Sequence, residues 1–188
     1  PPPRSVPMPL DLSRVAEKTL GLLRAQSDYE NIEFTIEVER DLSHAIADES
    51  VVGQILLNLM LNACHAALES KGSPRITVTV RPAPLGIRSG DSNGAASGRS
   101  VMDGVECEVA DNGPGVSYEN LERIFDPFFT TKDPGVGTGL GLANALRLAE
   151  ELGGVVEFSN AGVLKGAAFV LRLPAQKVVS TTSVRGEE

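Results

Sequence analysis

The chain has 188 residues, a formal net charge of −8 and only two histidines. That length fits one domain with a core of its own, and 41% hydrophobic against 22% charged residues excludes wholesale disorder. The acidic balance excludes a nucleic-acid binder whose affinity rests on bulk positive charge. Phosphate ligands remain open, because screening limits the reach of charge to about 8 Å and local groups decide. Cys64 and Cys107 match no zinc spacing and make a poor disulfide framework, so a reducing, cytoplasmic setting is expected. No apolar run approaches the ~18 residues of a membrane span, and no signal peptide opens the chain. The opening PPPRSVP has no initiator Met and reads as the start of an excised fragment.

In chain order, residues 1–9 are Pro-rich and unsuited to a helix interior. Asp11 is placed to cap a helix reaching about Gln26, with Val15, Leu20, Leu22 and Leu23 at loose helical spacing. Ile32, Phe34, Ile36 and Val38 alternate with polar residues and predict a half-buried strand. A short strand is expected at 45–47. Asp48 caps a long helix to about Ser70, with Gly72 and Pro74 past its end. Ile76, Val78 and Val80 predict another strand, and Val101, Val105, Cys107 and Val109 its returning partner, ending at Asp111. Between them, residues 82–100 show no period and read as a mobile connection. Residues 118–124 suggest a short helix, and Pro127 and Pro134 bracket an irregular stretch. Residues 139–152 are helical, with Leu142, Leu146 and Ala149 on one face. A hairpin of strands at 155–158 and 167–173 closes the sheet, and a polar tail follows at 180–188. The pattern predicts one α+β sandwich, with helices on one face of a sheet.

Four segments carry chemistry. On the long helix, Asn58 and Asn62 are four residues apart and share a face, and His65 and Glu69 extend the line. Beside so wide an apolar stripe the amides need partners. They either bond neighbouring loops or turn their carbonyl oxygens to a hard cation such as Mg²⁺. DNGPG at 111–115 follows a strand. It is either a tight turn or a site where Asp111 accepts from a ligand's amino group while Gly113 and Gly115 admit an aromatic ring. GVGTGLGL at 135–142 opens a helix, whose free N–H groups and dipole suit an anion. Just before it, IFDPFFTTK holds Phe125, Phe128 and Phe129, half of the chain's six phenylalanines. That stretch is either a loop anchored by aromatics or a lid that closes on a ligand, with Lys132 reaching phosphate.

Taken in order, NLMLNACHA, DNGPG, IFDPFFTTK and GVGTGLGL resemble the N, first-glycine, F and second-glycine boxes of the histidine-kinase catalytic and ATP-binding domain, a member of the GHKL superfamily. The resemblance spans residues 10–174, and FFTTK before GTGLGL is similar to the nitrogen-regulation branch of bacterial two-component sensor kinases. It implies a Bergerat ATP-binding fold, a two-layer α/β sandwich with a mixed sheet of about five strands and three helices on one face. By motif match, Asp111 holds the adenine amino group, while Gly113 and Gly115 shape the pocket wall and lid hinge. Asn62 ligates Mg²⁺ with Asn58 in support, and His65 falls where many relatives place a basic phosphate contact. Thr131, Lys132, Gly137, Thr138, Gly139, Leu140 and Gly141 surround the phosphates, with Asn58, Asn62 and Lys132 as the catalytic set. Phe125 and Phe128 pin the lid.

Two departures from the family pattern matter. Hydrolytic relatives carry a Glu general base where this chain has Asn58, and an amide cannot take a proton from water at neutral pH, so fast ATP hydrolysis is not expected. Ala167 stands where many relatives have a Thr that helps hold a water near adenine. The resemblance also implies a phosphoacceptor His on a helical dimerisation hairpin. Neither His44 nor His65 lies in an acceptor setting, so that hairpin is expected to precede Pro1, with residues 1–9 as linker and 175–188 as tail. The implied partners are that hairpin and a response-regulator receiver domain, with no nucleic acid. The fragment is expected to be monomeric, the full-length chain a homodimer that is either soluble or membrane-anchored. The alternatives are an ATP-sensing module without phosphoryl transfer and a kinase acting on Ser of an anti-sigma antagonist. Asn58 in place of Glu counts against an ATP-hydrolysing chaperone or topoisomerase piece.

Overall fold

Two aspartates start the first two helices. Asp11 Oδ1 accepts from the Ser13 N–H at 3.0 Å and Asp48 Oδ1 from the Ser50 N–H at 2.8 Å, which satisfies amides a helix start leaves orphaned. The computed structural model describes residues 7–86, 101–131, 137–160 and 162–176. Its helices are α1 (Leu12–Arg24), α2 (Glu49–Leu68) and α3 (Gly141–Glu151). Its strands are β1 (Met8–Leu10), β2 (Glu33–Val38), β3 (His44–Ala47), β4 (Arg75–Gly86), β5 (Val101–Asp111), β6 (Val155–Ser159) and β7 (Ala168–Gln176).

The strands run in the order β1-β3-β7-β5-β4-β2, and β6 pairs β7 beside β3. The β2–β4 ladder is parallel and the other described ladders are antiparallel. The expected mixed sheet with three helices is therefore present, with seven strands where about five were expected. Helix α2 lies between α1 and α3 and over β5. Its Ile55, Leu56, Leu59 and Met60 are fully buried, as are Val105, Cys107 and Val109 of β5. Burial pushes the thiols of Cys64 and Cys107 up to about 12, so both are neutral and inert at physiological pH.

Several local expectations change. Met8–Leu10 is a strand paired with β3, inside the segment read as linker. Strand β4 continues through Pro82 and Pro84 to Gly86, paired with β5, into the stretch read as a connection. Prolines are tolerated there because β2 ends opposite Val80, so that among the described residues the outer side of β4 has no ladder partner beyond it. Residues 87–100, the rest of that connection, and the tail beyond 176 lie outside the described residues. The expected helix at 118–124 is a 3₁₀ turn, Tyr118–Asn120, followed by further turns. Leu22, placed on the buried stripe of α1 by its spacing, is 59% exposed, and Leu12, Ala16 and Thr19 are buried instead. Contrary to the reading that no apolar run reaches membrane-spanning length, α2 is long and apolar enough by length and composition to do so. Here it is the core helix of the sandwich.

The uncovered face of the sheet is held by charge. Glu106 on β5 is only 4% exposed, and its two carboxylate oxygens accept from Arg81 Nε at 2.5 Å and Arg172 Nε at 2.6 Å. Arg81 also reaches Glu108, and Arg172 reaches Glu157. This network spans β4, β5, β7 and β6 on the side away from the helices.

Candidate functional site

The polar line of α2 borders a cavity. Asn58, Asn62 and His65 line a space of about 500 Å³ whose far walls are residues 115–117, Thr131 and the start of α3. The Asn58 carboxamide oxygen sits 3.9 Å from where a Cβ on Gly141 would stand, so α2 and the N-terminus of α3 meet across van der Waals distance. The His65 ring meets the buried Tyr29 ring edge-on, with centroids 6.4 Å apart. Among the described residues that line the cavity, His65 is the only ionisable side chain. A larger groove of about 680 Å³ lies between β1, α1 and α2 and contains none of the predicted site residues. Convergent polar groups, not size, mark the site.

Asp111 ends β5 and is fully buried. Its Oδ1 accepts from the Gly113 N–H at 2.8 Å and from the Ala167 N–H at 3.3 Å. Its Oδ2 is buried with no hydrogen-bond partner. Burial raises the carboxyl above the ordinary Asp range, and the Gly113 and Ala167 amides pull it part of the way back. A buried acceptor left unpaired costs free energy, and a ligand N–H donor would satisfy it. Ala167 lacks the hydroxyl expected from the family pattern, yet it holds Asp111 through its main chain on both sides, because the Asp111 N–H also donates to the Ala167 carbonyl at 2.9 Å.

The glycines do steric work. A Cβ on Gly113 would stand 2.4 Å from the Ala66 carbonyl oxygen, so this glycine lets the first glycine box press against α2 rather than against a ligand. Gly139 has φ +65°, and its added Cβ would stand 2.4 Å from the Phe128 carbonyl carbon. Its carbonyl accepts from the Phe128 N–H at 2.9 Å, which ties the F box to the second glycine box. At the start of α3, Leu140 is the N-cap and supplies no side-chain cap. The Leu140 N–H reaches Thr138 Oγ1 at 3.4 Å, and Gly137 and Thr138 line the cavity. The first-turn amides of α3 therefore border the site with no side-chain cap from Leu140, a position suited to an anion.

Of the predicted site residues, Asn58, Asn62, His65, Gly115, Thr131, Gly137, Thr138, Gly139 and Gly141 line the cavity. Asp111, Gly113, Phe125, Phe128 and Leu140 do not. Lys132 lies outside the described residues. The two phenylalanines expected to pin the lid differ. Phe125 packs edge-on against Phe169 at 6.4 Å, whereas Phe128 is 75% exposed with φ +67°. Phe129 takes the anchoring place, half-buried, lining the cavity and carrying Arg123 over its ring at 4.5 Å. Motif order also passed over Phe169, Ile124 and Val116, apolar walls of the cavity, and Asn160, which lies outside the lining and bonds the Val116 main chain. Phe169 alternates inward on β7 and was legible only as core.

A mixed sheet under three helices, with a polar-lined cavity between α2 and the N-terminus of α3 and a buried lone carboxylate at the end of β5, defines the class as an α/β sandwich. The chain belongs to the family of histidine kinase-, DNA gyrase B- and HSP90-like ATPases, which matches residues 47–177. It is 37% identical over 165 residues to the sensor histidine kinase ZraS of Klebsiella oxytoca, covering 88% of this chain and 31% of that protein. It is 32% identical to the signal transduction histidine-protein kinase AtoS of Escherichia coli, covering 88% of this chain and 23% of that one. Across four curated relatives the chain spans between 16% and 31% of their length. The catalytic domain of histidine kinase ThkA superposes with a TM-score of 0.67 at 26% identity, covering 89% of this chain and 97% of that one. ShkA, solved full-length in complex with AMPPNP, superposes at 0.66 and 28% identity, covering 94% of this chain and 32% of that one.

Proposed function

We propose that the chain binds Mg-ATP in the 500 Å³ cavity and donates the γ-phosphoryl group to a His on a separate helical hairpin, for relay to a response-regulator Asp. The observation that carries this reading is Asp111, a fully buried carboxylate with one oxygen unpaired just outside the cavity lining; the motif match assigns that oxygen to the adenine amino group, which would reach it by parting the present lining. The first-turn amides of α3 and Thr138 suit the β and γ phosphates, and Lys132 adds a cation by its place in the sequence. Asn62, with Asn58, would hold Mg²⁺ through amide oxygens. No group of three or more His, Cys, Asp or Glu side chains stands ready for a metal among the described residues, which fits an ion carried mainly by phosphate and water. When bound, that ion supplies charge neutralisation along the phosphates.

This proposal also assigns the chain's surroundings. The hairpin and the receiver domain are partners, residues 10–174 are the catalytic unit, and the setting is cytoplasmic, where ATP and neutral thiols coexist. The donor residues position and neutralise, and the acceptor comes from outside this domain. Calorimetric titration with ATP, with and without Mg²⁺, tests the reading. Binding that tightens with Mg²⁺ is expected; no binding with or without it would end the reading.

A further inference from the structure

Asn160 follows β6 directly, is exposed, and belongs to none of the four boxes. Its carboxamide nevertheless reaches across to the first glycine box. The Val116 N–H donates to Asn160 Oδ1 at 3.0 Å, and Asn160 Nδ2 donates to the Val116 carbonyl at 2.9 Å. One side chain thus pairs both main-chain groups of one residue, as a neighbouring strand does in a ladder. Residues 114–117 are not in a strand, so this amide stands in for the missing pairing. The geometry needs one acceptor and one donor at the same reach. Asp offers only acceptors, and Gln is a methylene too long.

The tied residue forms part of the cavity wall. Gly115, Val116 and Ser117 all line the cavity, and Val116 also packs against the core. Gly115 has φ +73°, and a Cβ there would come within 2.8 Å of Asn160 Oδ1. Gly115 therefore serves two needs, a left-handed backbone and room for the carboxamide. Below this wall the chain is pressed against Ala66 at Gly113, and above it the Tyr118–Asn120 turn begins. Between these two fixed points, the Asn160 amide sets where the wall stands.

We infer that Asn160 is a positioning residue for the nucleotide. It holds residues 115–117 in the shape that closes on a purine nucleoside triphosphate, and touches the wall rather than the ligand. This rests on the Mg-ATP reading of the cavity. The test is titration of ATP with Mg²⁺ into the 188-residue chain and into Asn160→Ala, Asn160→Asp, Gly115→Ala and the Gly115→Ala/Asn160→Ala double variant, with amide exchange at Val116 and melting followed alongside. Asn160→Ala is expected to weaken ATP binding about fivefold or more, because the released wall must be ordered when ATP binds, and to lower melting by no more than a few degrees for two exposed hydrogen bonds. Val116 exchange should speed up in Asn160→Ala and stay slower in Asn160→Asp, which keeps the acceptor. Gly115→Ala should cost less affinity in the Asn160→Ala background than alone, because the 2.8 Å conflict has gone. Faster Val116 exchange with unchanged ATP affinity, or an additive double variant, would reduce Asn160 to a local tie and overturn the inference. Absence of ATP binding by the unaltered chain would instead overturn the nucleotide reading itself, before any variant is compared.

Discussion

At the scale of single residues, Asp111 concentrates the chemistry. In an unfolded chain an Asp titrates near ~3.9, and burial raises this one in the fold. Between those two values the folded state holds more protons than the unfolded state. The contribution of Asp111 to stability therefore falls as pH rises through the window above ~3.9, and at neutral pH its charge works against the fold. Asp111→Asn removes the charge and keeps an acceptor for the Gly113 amide. It should melt no lower than the unaltered domain at pH 7, with any advantage shrinking as the pH is lowered through that window. The same change turns an acceptor into a donor where adenine would donate, so ATP affinity should drop roughly 10- to 100-fold. Calorimetric melting and titration measure the two effects separately; a variant that lost stability but kept ATP would contradict the assignment. Asn62→Ala makes a different demand. It should remove most of the gain in ATP affinity that Mg²⁺ gives while leaving adenosine binding within about twofold, and equal losses for both ligands would remove Asn62 from the metal.

At the scale of elements, the first glycine box approaches α2 closely enough to exclude a side chain. A Cβ on Gly113 would stand 2.4 Å from a backbone oxygen of Ala66, which cannot move without bending the helix. Gly113→Ala should cost about 1–3 kcal/mol, a drop of roughly 2–10 °C in melting temperature for a domain of this size. Loss of ATP affinity without that drop would mean that Gly113 touches the ligand instead. What was legible in the sequence divides along the same lines. Caps and periods placed α1, α2, β2, β5 and the β6–β7 hairpin, because each buries a regular stripe. Strand β1 has three residues, one of them Pro, and exists only because β3 pairs with it, so no local period announces it. The β4 extension was hidden by its own prolines, which read as loop until the free outer side of the strand is known. Order and spacing of the boxes brought nine predicted residues to one cavity, but adjacent phenylalanines share no helical or strand phase, and Phe129 rather than Phe128 turned inward. Asn160 lay beyond reach for a simpler reason. Its partner is 44 residues away, and a bond to main-chain atoms leaves no mark on the partner's side-chain type.

At the scale of the whole molecule, the described residues of the proposed site suit the holding of a phosphoryl donor and include neither a carboxylate base nor a histidine in an acceptor setting. No Asp or Glu is among the described residues that line the cavity, and the position where hydrolytic relatives carry Glu is Asn58. A water beside the γ phosphate would find an amide there, which accepts no proton at neutral pH. His65 lines the cavity against Tyr29, and His44 lies on β3 in register with Gln176, outside the cavity. Neither sits on a helical hairpin of its own. Incubated alone with labelled ATP and Mg²⁺, the chain should release phosphate slowly and retain no label on protein. Supplied with a sensor-kinase dimerisation hairpin, it should transfer label in an acid-labile form, because phosphohistidine hydrolyses in acid where phosphoserine survives. Asp111→Asn should suppress that transfer in proportion to its loss of ATP affinity, since binding and not proton transfer is what it alters. An acid-stable label would redirect the acceptor to Ser. ATP bound tightly with no label on the hairpin, across several sensor-kinase hairpins, would leave the domain a nucleotide sensor rather than a donor.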